Sequence, residues 1–131
     1  KQDDIESDLS EESRKLLERI GRFNPGLADG IMRDMKELRS SDREDVMKVL
    51  IKKIESGDIE SNVYSLLFVN FSDYRGEIIE AIKRAAKPLE AGDLPSFKAM
   101  YSEDKDAIEN LLNELKNVKQ EIKDRIMKTG D

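Results

Sequence analysis

Apolar residues recur every three or four positions along most of this chain, the spacing of one face of an α-helix. Ser10 followed by Glu11 and Glu12 reads as a helix cap with acids at the positive helix start, and Leu16, Leu17 and Ile20 fall on one face behind it. That helix is expected to end over Gly21 to Asn24. Asn24-Pro25 then reads as an N-cap with proline at the first helical position, where its missing N–H costs nothing. Leu27, Ala28, Ile31, Met35 and Leu38 form the next stripe, with Gly30 inside it. Ser41-Asp42-Arg43-Glu44 has the form of a capping box ahead of a helix that buries Val46, Met47, Leu50, Ile51 and Ile54. Gly57 is placed to end that helix with a positive φ, and Asp58 to cap the next.

The segment Val63 to Phe71 is apolar nearly all round. Its β-branched and aromatic residues would suit a strand, but no second strand candidate exists to pair with it, so a helix at the centre of a bundle is expected. Ser72 or Asp73 starts another helix with the stripe Tyr74, Ile78, Ile82, Ala85 and Leu89; Pro88 predicts a kink or an end at Lys87. Residues 90–101 read as a linker and a short helix. From Ser102 a single long helix is expected to about Lys128, because Ile108, Leu111, Leu115, Val118 and Ile122 follow the alternating spacing of a coiled-coil seam. Acids crowd its first half and bases its second, as the helix macrodipole favours.

The pattern therefore predicts an all-α protein: a six- or seven-helix bundle with a long C-terminal helix, or else a short superhelical stack of helical hairpins. Residues 1–9 read as an acidic flexible tail and 10–131 as a single all-helical domain, with helical hairpins over 10–89. At 131 residues the chain is near the size of one ordinary domain. It begins at Lys1, which is compatible with a piece of a longer protein, and shows no secretory leader. The longest uncharged stretch, Ser61 to Ser72, is too short to span a bilayer. A cytoplasmic location is the default expectation.

Composition narrows the chemistry. Charged residues make up 40% of the chain and the net charge is −6, which argues against a broad basic surface for nucleic acid. There is no Cys and no His, which excludes disulfides, thiolate or imidazole metal sites and every His-dependent triad. No Gly-x-Ser-x-Gly elbow and no Ser-x-x-Lys is present, and Gly26 to Gly30 lacks the Lys-Ser or Lys-Thr of a phosphate loop. Carboxylates remain. Glu77 with Glu80, and Glu90 with Asp93, are acid pairs that could share a helix face. Over those four residues the chain resembles the paired acidic motifs of the all-α nucleotide pyrophosphatases, a likeness that implies a divalent-metal site. Pro88 and Gly92 interrupt the helix that the second pair needs. Glu121 and Asp124 also share a face, beside Lys123 and Arg125 as on an ordinary solvated surface. The expectation is a protein that is not an enzyme and takes no cofactor or metal, with a carboxylate-metal enzyme as the remote alternative.

Two classes of surface are left. Apolar helix faces are plentiful, so the preferred reading is an interaction module whose partner is another protein or a second copy of itself. Candidate contacts are Tyr64, Phe68 and Phe71 on the apolar segment, and Leu111, Leu115, Val118 and Ile122 within Ile108 to Ile126. Leu94, Phe97, Met100 and Tyr101, close by in sequence, would help to form a groove. The alternative is a nucleic-acid-associated protein using Arg33, Lys36, Arg39, Lys48, Lys52 and Lys53. A further basic cluster, Lys83, Arg84 and Lys87, lies downstream.

Overall fold

The computed structural model describes residues 9–85 and 88–128. The described residues form eight α-helices and no strand. The helices are α1 (Glu11–Gly21), α2 (Ala28–Glu37), α3 (Ser40–Ser56), α4 (Ser61–Asn70), α5 (Arg75–Arg84), α6 (Leu94–Glu103), α7 (Lys105–Glu114) and α8 (Gln120–Met127). Short 3-10 turns precede α2, α5 and α6, at Pro25–Leu27, Ser72–Tyr74 and Ala91–Asp93. The all-helical expectation is met, but with one helix more than the upper count and without the long last helix. No helix among the described residues is long and apolar enough to cross a membrane. The chain divides into two compact units, one up to Lys53 and one from Ile54.

In the first unit Ser10 caps α1 as expected: its Oγ accepts the Ser13 N–H at 3.1 Å and donates to the Ser13 hydroxyl at 2.8 Å. Residues 1–8 of the expected tail lie outside the described residues. Leu9, assigned to that tail by its acidic neighbours, is instead buried with Leu16 and Ile20. Asn24 also caps, accepting the Gly26 N–H at 2.8 Å, but the turn it starts is 3-10 rather than α. This turn leaves Leu27 46% exposed, off the stripe in which its spacing had placed it. Helix α3 begins at Ser40, so Ser41 lies inside the first turn and not at the cap. Val49 joins Val46, Met47 and Leu50 in the core, widening the buried face beyond the expected stripe.

Carbonyls at the end of α2 are met by a side chain from α3. The Arg43 guanidinium donates to the carbonyls of Met35 (3.3 Å), Lys36 (2.7 Å) and Leu38 (3.0 Å). One fork thus closes the α2–α3 corner.

In the second unit α3 ends on Gly57, whose φ of 78° is the left-handed conformation that glycine adopts without a Cβ penalty. Asp58 does not cap the next helix; its carboxylate accepts from the Ser56 hydroxyl at 2.8 Å, and α4 starts three residues later. The apolar segment is helical, as α4. It packs on α6, which also meets α7 and α8. Leu94, Phe97, Met100 and Tyr101 of α6 are all buried. The short helix expected at the end of 90–101 is thus present, as Leu94–Glu103, with its large apolar side chains in the core. Proline at the first turn starts α6 at no hydrogen-bond cost, and a T-shaped Tyr64–Phe97 contact at 6.1 Å seats it on α4.

The expected helix over 102–128 is two helices. Ser102 belongs to the end of α6, and Asp104 is the true cap, accepting the Ala107 N–H at 3.2 Å. The chain leaves helical geometry at Leu115 (φ −83°, ψ 101°) and re-enters after Lys119 (φ −63°, ψ 139°). A continuous helix of this length would run roughly 40 Å and carry Ile126 away from the core. The turn brings α8 back onto α6, and Ile126 is 1% exposed. Leu112, off the heptad seam, is fully buried, while Leu115, Val118 and Ile122 on the seam are half-buried. Helix α5 likewise stops at Arg84, with Ala85 extended; the stop expected at Lys87 lies outside the described residues.

Arg75 holds the start of α5. Its Nε donates to the Phe68 carbonyl at 2.7 Å, its carbon lies 4.9 Å from the Phe68 ring centroid, and it pairs with Glu103 at 3.2 Å.

Two stability measurements check this arrangement. Leu112→Ala is expected to cost about 2–4 kcal/mol in urea unfolding and Leu115→Ala clearly less, the reverse of what a continuous seam requires. Arg43→Ala is expected to cost about 1–2 kcal/mol through the lost carbonyl partners; a value within about 0.3 kcal/mol of zero would remove its role as a cap.

Candidate functional site

Each unit carries a cleft of its own. In the second unit the turn after α7 opens a cavity of 410 Å³. Its apolar lining comes from Tyr64 on α4, Ile82 on α5, Ala85 and Leu89 beyond α5, and Leu115 and Val118 in the turn. Lys83, Glu114 and Lys116 form its charged edge: the Lys83 ammonium bonds Glu114 at 2.8 Å and Glu80 at 2.9 Å, tying α5 to α7. Those bonds raise the Lys83 pKa, Glu114 contributing most, and the Lys83 bond lowers that of Glu80. Lys83 is half-buried and both of its acids are exposed, so the tie orients the edge more than it stabilises the unit.

Tyr64 joins this cleft to the core. Burial, helped by the negative charges of Asp93 and Glu60, pushes its phenol up to about 12. The neutral phenol belongs to the folded state. Stability from keeping it neutral is complete below the ordinary tyrosine value near 10 and falls as pH rises through 12.

The first unit has a cleft of 520 Å³ between α1 and the α2–α3 corner. Leu16 and Leu38 are its apolar floor. Arg19 from α1 pairs with Asp34 of α2, and Arg39 lies 3.5 Å from Asp42. The Arg19 bond, with lesser help from Arg33, holds the Asp34 carboxyl below its ordinary value. Glu12, Lys15 and Glu37 complete the rim.

The structure separates the seven proposed partner contacts. Phe68 and Leu111 are fully buried, and Phe71 is 8% exposed. Ile122 is half-buried on α8. Tyr64, Leu115 and Val118 come together on one cleft, where Ile82 and Leu89 join them. Ile82 and Leu89 were visible only as stripe positions; the break at Leu115, beside which they line the cavity, had no apolar-pattern signal.

The six basic candidates all fall in the first unit. Arg33 and Arg39 are exposed beside acids, at 3.8 Å from Asp34 and 3.5 Å from Asp42. Lys36, Lys48 and Lys52 are exposed, and Lys53 is half-buried. Of the downstream cluster, Lys83 and Arg84 are paired with acids, Arg84 with Glu55 at 2.9 Å, and Lys87 lies outside the described residues.

The acid pairs have other work. Glu80 is bonded to Lys83. Asp93 accepts the Ser61 hydroxyl at 2.7 Å and the Glu90 N–H at 2.9 Å, closing the 3-10 turn against the start of α4. Among the described residues no group of three or more acids is placed to hold a metal ion. Glu80 and Asp93, two of the four acids of the pyrophosphatase-like motif, are thus engaged in structural bonds.

Ultraviolet titration of the phenols should show one group ionising near 12 and absent in Tyr64→Phe; ionisation of every phenol near 10 would contradict the burial described. Comparison with protein-family models, curated proteins and solved structures gives no match for this chain, so its function is argued from its own residues.

Proposed function

We propose that this protein is a non-catalytic helical interaction module that docks another protein or a second copy of itself through the cleft of the second unit. The observation that carries the reading is the convergence of Tyr64, Leu115 and Val118, from separate parts of the sequence, on one open cavity. An apolar floor beside the Lys83–Glu114 pair has the form of an interface, greasy at its centre and charged at its edge. Glu80, Asp93 and Glu114 are engaged in helix ties and caps, and a chain without His or Cys has few other groups for catalysis.

Light scattering across concentration, together with affinity capture by the tagged full chain, tests the proposal. Val118→Asp and Leu115→Asp lie at half-buried turn positions. Both are expected to keep the helical circular-dichroism signal while reducing association about tenfold or more. Unchanged association in both variants, or a strict monomer that captures nothing, would overturn it.

A further inference from the structure

The first-unit cleft points to a second docking site with a definite preference. We infer that it takes a partner polypeptide segment presenting an aliphatic side chain next to a lysine or arginine. The cleft's 520 Å³ lies in the range that receives a side chain with its adjoining backbone. Its floor is two leucines from different elements, Leu16 on α1 and Leu38 after α2. Leu16 is 3% exposed and Leu38 half-buried, so the floor is firm on one side and adaptable on the other.

Charge decides the occupant. Two of the cleft's bases are already matched, Arg19 by Asp34 and Arg39 by Asp42. Glu12, Lys15 and Glu37 make no ion pair among the described residues, which leaves two carboxylates against one ammonium. Lys15 stands with Glu12 on α1 and balances it, so the residual negative charge lies on the α2 wall, at Glu37. An apolar floor beside that carboxylate favours an aliphatic side chain next to a cation and disfavours phosphates. The second-unit cleft differs: Lys116 joins Lys83 and Glu114 among its lining residues, which leaves no excess of negative charge there.

Methyl NMR of the full chain tests the inference with three synthetic ten-residue peptides: leucine alternating with lysine, leucine with glutamate, and serine with lysine. The leucine–lysine peptide is expected to shift the Leu16 and Leu38 methyl signals and to bind about tenfold or more tighter than the leucine–glutamate peptide. The serine–lysine peptide should leave those methyls in place. A double variant, Glu12→Gln with Glu37→Lys, should abolish the charge preference. It should also keep the fold, since both positions are exposed and a base suits the last turn of α2. Unmoved Leu16 and Leu38 signals, or a preference that survives the double variant, would overturn the site. Shifts confined to Leu115 and Val118 would overturn it too while leaving the second-unit reading intact.

Discussion

The second unit depends on the burial of one helix that lacks a long apolar stripe of its own. Phe97 and Met100 of α6 have no exposed surface, and α4, α7 and α8 all pack against that helix. Burying such a side chain stabilises by about 1.5–3 kcal/mol, and in a chain with 40% charged residues few positions can supply it. The neighbours arrange themselves around this limited resource. The last part of the chain breaks and folds back to bring Ile126 into the core, and the break leaves Leu115 and Val118 only half-covered. The candidate cleft is thus a by-product of completing the core.

Short helices multiply the problem of unsatisfied ends, because each end leaves backbone groups without intrahelical partners. Side chains from neighbouring elements meet that demand. Arg43 takes three carbonyls at the end of α2, Arg75 takes one at the end of α4, and Asp93 ties the start of α6 to Ser61. No buried side-chain polar atom among the described residues lacks a partner. These ties make use of charged residues that composition alone would assign to a solvated surface.

Local signals were legible where one residue type settles the geometry. Ser10, Asn24 and Gly57 act at the ends where their chemistry placed them, and the apolar segment over Val63 to Phe71 is a helix, as the want of a pairing strand required. Tertiary demands were not legible. Leu115 and Val118 continue a regular seam, and nothing in their spacing reveals that Leu112 and Ile126 are buried in their stead. Residues 94–103 look too short and too mixed to be central, yet four large side chains there are buried from several sides. Of the candidate site, the sequence showed three lining residues, Tyr64, Leu115 and Val118; Lys83 and Glu114 became visible only once α5 and α7 were side by side.

Amide hydrogen exchange on the full chain tests this construction most directly. Amides of α6 should rank among the slowest of residues 54–128, while those from Leu115 to Lys119 exchange fast between two protected helices. Uninterrupted protection from Lys105 to Met127, or rapid exchange throughout α6, would contradict it.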